Sequence, residues 1–282
     1  MAETIDNKKD KGKNKAAEMP FWDHLEVLRW HIVKAVVAVL VFSIIAFLNR
    51  EIIFDTIILG PISNDFITTV LLCKLGNWLD VTALCMDNST LHIININMSG
   101  QFMTHMYVSM AAGLIVAFPY VIWEIWSFVQ PALSGRETKS SGLTVLVISF
   151  LFLLGVFFSY FLIVPLTINF LGTYQVSSSV ENQVALSSYI STVVSVTFAV
   201  GVVFELPILV YYLAKMGVIT AAWLKKSRKT MLVIILAVSA IITPPDIFSQ
   251  VLVSLPLMLL YEAGIIIARR VENRKAKLAD KV

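Results

Sequence analysis

The chain reads as an all-α membrane protein: six transmembrane helices, the last two short, with both termini on the inner side and a cap on the outer side. Three observations carry this reading. Hydrophobic residues make up 57% of the 282 residues and charged residues 15%, too apolar a balance for a soluble domain. The apolar residues gather into six segments separated by short connectors, which leaves no room for a separate soluble domain. The basic residues are lopsided: 20 of the 22 Lys and Arg fall on one side of a six-span arrangement, and only Arg50 and Lys74 fall on the other. The positive-inside rule then places both ends of the chain in the cytoplasm.

Residues 1–19 hold Lys8, Lys9, Lys11, Lys13 and Lys15 and form a polar, basic arm expected to be disordered near anionic lipid. The arm does not read as a secretory signal, because the first apolar run starts late and no small-residue cleavage site follows it. The membrane domain is expected over 20–271, with the outer excursion at 49–100 and a cytoplasmic tail at 272–282. Phe21 to Arg29 reads as an amphipathic lead into the first span, Ile32 to Leu48. The second span is Phe102 to Trp123, the third Leu143 to Val164 and the fourth Tyr189 to Leu213. The fifth, Met231 to Ile242, has 12 residues, or roughly 18 Å at about 1.5 Å each. It crosses only by thinning the bilayer or borrowing its flanks; a re-entrant hairpin with the sixth, Val251 to Ala268, is the alternative.

The outer segment holds the only two cysteines, Cys73 and Cys85. An oxidising compartment favours a bridge between them, and two unpaired thiols are the alternative. For a loop of this length a bridge is worth about 3 kcal/mol. Ile52, Ile53, Phe54, Ile57 and Ile58 read as a short amphipathic helix near the outer surface, and His92 to Met98 as an extended piece.

The polar residues inside the apolar segments are the functional candidates. Glu205 is the only charge in the 25 residues from Tyr189 to Leu213. An acid at that depth faces a protein interior, a wet cavity or a partner, and is a functional candidate by default. Its alternative is a carboxyl kept neutral and hydrogen-bonded within its own bundle. Thr197 and Gly201 precede it by two turns and one, making a small, polar strip. Pro207 follows, removes a donor and leaves the Val203 carbonyl unpaired. The kinked strip suits a concave wall that a second helix enters. On the inner side, Asp23, Glu26 and Glu137 stand at a basic surface, where carboxylates suit guanidinium groups. Local pairing, Glu26 with Arg29 and Glu137 with Arg136 or Lys139, is the alternative. At the outer end of the last two spans, Thr243-Pro244-Pro245-Asp246 forces a turn, and Asp246 and Gln250 share a face that caps the sixth helix. His105, early in span two, is expected to hydrogen-bond a neighbouring helix.

No H-E-x-x-H, Walker-type or G-x-S-x-G pattern is present, and the four histidines share no ligand spacing. No enzyme activity, metal, cofactor or nucleic-acid partner is expected.

Several motifs, in order, resemble the TatC family, the core subunit of the twin-arginine protein translocase. Thr243 to Gln250, followed by Leu255-Pro256 and Leu260-Tyr261-Glu262, resembles its span-five to span-six signature. Gly201 to Pro207, reading GVVFELP, matches its fourth-span motif. Pro119 to Glu137 resembles its first inner loop, and His24 to Arg29 its amino-terminal motif. The resemblance implies a multi-pass receptor in the cytoplasmic (inner) membrane that binds twin-arginine signal peptides of folded cargo. It implies assembly with TatA- or TatB-type single-span proteins and further copies of itself, and transport driven by the proton-motive force. By the same resemblance Glu26, Asp23 and Glu137 contact the signal's arginines, Glu205 faces a partner helix or the inserted signal, and Pro61 matches a proline of the first outer loop. One departure stands out: Val27 occupies the position where the family usually has glutamate, one residue after Glu26. A shift of one residue turns a helical side chain by about 100°. A proton-coupled small-solute transporter using Glu205 is the competing reading, and an intramembrane hydrolase, lacking a nucleophile with a matched base, comes last.

Overall fold

The structure is a computed structural model that describes residues 21–80, 85, 92–129, 141–177, 182–243 and 246–279, with main chain alone at 21–24, 141, 278 and 279. The basic arm, Glu137, Pro244, Pro245 and the Asp23 side chain lie outside what is described.

The amphipathic lead and the first span form one helix, α1, Phe21–Leu48. The chain then turns through a π-helical stretch, Ile52–Ile58, and a short 3-10 turn, Gly60–Ile62, that starts on the buried Pro61. Helix α2 (Ile67–Leu79) and strand β1 (His92–Ile94) complete this excursion. The second span is α3, Gly100–Val129. The third is longer than its apolar core predicts: α4 (Ser141–Phe158) passes through a π-helical stretch, Ser159–Ile163, into α5 (Val164–Thr173). Strand β2 (Gln183–Ala185) precedes the fourth span, which is split into α6 (Leu186–Val203) and α7 (Leu206–Met216). A short helix α8 (Ala221–Lys226) leads to α9, Arg228–Ile242, and α10 runs from Ile247 to Ala279.

By length and hydropathy, Ile52–Leu79 also qualifies as a membrane-crossing stretch. Its neighbours exclude that. His31 of α1 meets Glu124 of α3, and Phe47 meets His105, so the two helices run antiparallel. Residue 100 therefore starts at the end where residue 48 stops, and the described residues between them form a cap on that face. The extended backbone at Ser63 and Phe66 breaks the stretch as well. The fifth span is α9, 15 residues or about 22 Å, shorter than the hydrocarbon core of about 30 Å. Gln250 Nε2 donates to the Leu236 carbonyl at 3.0 Å and ties α10 back against it. The sixth apolar segment sits inside a much longer helix, 33 residues, that continues through most of the stretch read as a tail.

Two buried clusters organise the molecule. One joins α6, α7, α9 and α10 through Val196, Val200, Phe204, Ala214, Ile235, Leu257 and Tyr261. The other lies under the cap, where Tyr189 donates to the Ile58 carbonyl at 2.5 Å beside Val164, Ile190 and Val193. Above it, β1 and β2 pair in parallel, His92 opposite Gln183, which fastens the segment before α3 to the segment before α6. Helix α1 packs on α3 and leaves most of its surface open, including Trp30, Ile44 and Leu48.

Candidate functional site

The fourth span breaks where its acid sits. Pro207 offers no N–H to the Val203 carbonyl, and Glu205 N turns to the Val202 carbonyl at 3.1 Å. Glu205 thus occupies the junction of α6 and α7, at the start of α7, without capping it. Its side chain is half-buried, and both carboxyl oxygens are enclosed with no side-chain hydrogen-bond partner among the described residues. The main chain of Phe152 on α4 lies beside it. Leaving a buried acceptor unpaired costs about 1–3 kcal/mol. The Phe152 main chain is the one group of the bundle that meets this acid, and no side chain among the described residues does.

The strip leading to Glu205 is not an open wall. At Gly201 an added Cβ would lie 2.9 Å from the Phe152 ring and from Val156; at Gly155 it would lie 2.7 Å from Phe204 and 2.9 Å from the Gly201 backbone. The helix that enters the strip is the chain's own α4, crossing Gly155 against Gly201. Thr197 is buried in the same packing. The second helix expected to enter this strip is thus α4 of the same chain, whose Gly155 faces Gly201 and lets the two backbones approach closely.

At the end of the bundle where α1 starts and α3 finishes, Glu26 is exposed on α1, and so is Val27. One turn beyond Val27, His31 Nδ1–H donates to Glu124 Oε2 of α3 at 2.5 Å, with Tyr120 and Lys34 beside the carboxylate. Glu124 is only 7% exposed. This pair was missed in the sequence. Its one signal is an acid flanked by Trp123, Ile125 and Trp126 at the end of an apolar run, with a histidine at the matching end of the preceding span. The pair pins α1 to α3 at the end where Glu26 stands, and so fixes which way the Glu26 face points. Glu137, in the segment between α3 and α4, lies outside the described residues.

A second polar set lines this face near α10. Arg228 donates to Glu262 at 2.7 Å, the Ala221 amide to Glu272 at 2.8 Å, and Tyr261 to the Leu224 carbonyl at 2.6 Å. On the cap face, Asp246 Oδ1 accepts from the Ser249 amide at 2.6 Å, an N-cap for α10. Pro61 is buried at the first turn of the 3-10 helix, and Cys73 and Cys85 are joined by a disulfide. His105 contacts the Phe47 carbonyl at 3.1 Å and stacks on that ring. Among the described residues, Glu205, Glu26 and the Asp246–Gln250 cap are three separate places. Among the described residues no group of His, Cys, Asp and Glu has a metal-binding arrangement.

The family model described as Sec-independent protein translocase protein (TatC) matches residues 23–256. A TatC from Blattabacterium of Periplaneta americana is 40% identical over 265 residues, 93% of this chain and 100% of its own length. One from Aquifex aeolicus is 31% identical, covering 92% of this chain and 99% of that protein. A crystal structure titled as the twin arginine translocase receptor TatC superimposes with a TM-score of 0.70 at 31% identity, covering 88% of this chain and 99% of the other. With matched sequence, matched architecture and a relative covered from end to end, this chain belongs to the TatC family of Sec-independent protein translocase proteins.

Proposed function

We propose that this chain is the receptor and core subunit of a twin-arginine translocase. It sits in the cytoplasmic membrane with both termini inside, binds twin-arginine signal peptides at that face, and moves folded proteins outward with single-span TatA- or TatB-type partners, using the proton-motive force and no catalytic chemistry of its own. The observation that carries this reading is the near-complete overlap with a solved receptor of that name, over 99% of its length. The basic residues of 225–229 and 269–277, all on the face of the chain ends, support the orientation.

Glu26 and Glu137 receive the signal's guanidinium groups, with Asp23 alongside. Val27 leaves one side of α1 without an acid, so Glu137 bears more of the recognition. Glu205 meets a polar group from a partner helix or the inserted signal. Its enclosed oxygens, which no side chain meets, support that role, and they require the carboxyl to swing clear of the Phe152 main chain when the partner arrives. Asp246, Gln250 and Pro61 keep structural roles in the cap.

The test is crosslinking and export of a folded reporter carrying a twin-arginine signal, with co-purification of a single-span partner. Glu26→Ala combined with Glu137→Ala abolishes signal crosslinking while the chain stays folded in the membrane; unchanged binding rejects this arginine site. The solute-carrier reading gains no support from the relatives or from the solved receptor.

A further inference from the structure

Helix α2 is inside out. Its buried positions are Thr68, Thr69 and Gly76, and the Thr68 hydroxyl donates to the Phe161 carbonyl. Its apolar residues face away from the protein: Ile67 is 60% exposed, Leu71 54%, Leu75 48% and Trp78 81%. The spacing of four, four and three puts these on one stripe of a helix, and Val70 and Leu79 flank it. A helix packed on a protein in water has the opposite polarity.

The surroundings of α2 say what covers it. On α4, the exposed residues Leu143, Leu146, Phe150, Leu154 and Phe157 form one continuous stripe toward lipid. Phe161 continues that stripe, 6.2 Å from the Phe157 ring. Phe66, which begins α2, stacks on Phe161 at 5.7 Å and 16°. The distance along the helix from Leu143 to Phe161 is about 27 Å at ~1.5 Å per residue, against a hydrocarbon core of about 30 Å. The start of α2 therefore lies at the level where acyl chains give way to headgroups. The chemistry of the stripe matches that level. Trp78 is an aromatic with one polar edge, and Lys74 rises from the middle of the stripe with an apolar stem and a charged tip suited to phosphate.

We propose that α2 is an interfacial helix that seats its Ile67–Leu71–Leu75–Trp78 stripe in the headgroup–acyl boundary of the membrane on the cap side, with phospholipid as its partner. The Cys73–Cys85 disulfide ties the middle of α2 to the chain that follows it. The cap is thereby fixed to lipid at one edge and to the bundle, through Tyr189 and Ile58, at another.

The experiment uses the full chain in phospholipid vesicles whose acyl chains carry bromine either near the glycerol or near the methyl end. Subtracting the emission of Trp78→Phe from that of the unaltered chain isolates Trp78 from the other tryptophans. Bromine near the glycerol is expected to lower the Trp78 increment about twofold or more, with little effect of aqueous iodide. Strong quenching by iodide overturns the proposal, because α2 then faces water. Quenching by neither agent also overturns it, because the stripe is then covered by protein, and crosslinking between copies identifies a second copy as the cover. Trp78→Phe keeps the stripe apolar; should it nevertheless fail to fold, the same quenching is read from Trp78→Tyr as a tyrosine difference, by the same criteria.

Discussion

Replacing Glu205 by leucine should separate stability from function. In the isolated chain both carboxyl oxygens are enclosed with no side-chain partner, met only by the Phe152 main chain, and lie one turn from the Gly155–Gly201 crossing. Removing an orphaned acceptor recovers its desolvation cost, about 1–3 kcal/mol. Glu205→Leu is therefore expected to be more stable than the unaltered chain by that amount, a shift of about fivefold to over a hundredfold in the folding equilibrium. Glu205→Gln, which keeps a polar head in the same place, should recover less. Reversible unfolding in mixed micelles, followed by far-ultraviolet circular dichroism, measures the difference. Co-purification with a single-span partner is measured on the same variants and should fall for Glu205→Leu. A variant less stable than the parent by about 1 kcal/mol or more would refute the reasoning, because it would mean that the acid finds its partner within its own chain. A stabilised variant that keeps full partner binding would leave the energetics intact but remove Glu205 from assembly.

Gly155→Ala should cost about 1–3 kcal/mol, since the new methyl lies 2.9 Å from the Gly201 backbone, which cannot rotate away; Gly142→Ala, with nothing within 4 Å, should stay within about 0.5 kcal/mol, and thermal unfolding compares them. Glu124→Leu removes the acceptor from His31 and should loosen α1 from α3, costing about 1.5–3 kcal/mol, with faster hydrogen exchange over 25–34 and weaker signal crosslinking. Glu124→Gln keeps an acceptor and should lose less. Cys73→Ser with Cys85→Ser should destabilise the cap by about 3 kcal/mol, read as earlier proteolysis within 49–100, while the spans keep their helix content.

What the sequence determined by itself is local or statistical. The spans show because hydrocarbon demands long apolar runs, and the break at Glu205 shows because Pro207 lacks a donor wherever it stands. The candidate acids show because charge is rare in such a chain. Partnerships between distant residues left no comparable mark. His31 and Glu124 are 93 positions apart, and each reads alone as an ordinary polar residue at a helix end. Gly155 and Gly201 look like two isolated small residues until antiparallel packing sets them face to face, filling the strip that the sequence offered to a partner. The parallel pairing of β1 with β2 joins segments of three residues too short to announce a sheet. The polarity of α2 became readable only once tertiary contacts showed which side of it is turned to the protein. Periodicity marks a helix as two-faced; only the position of the remaining chain, and of the lipid beside it, decides which face is inside.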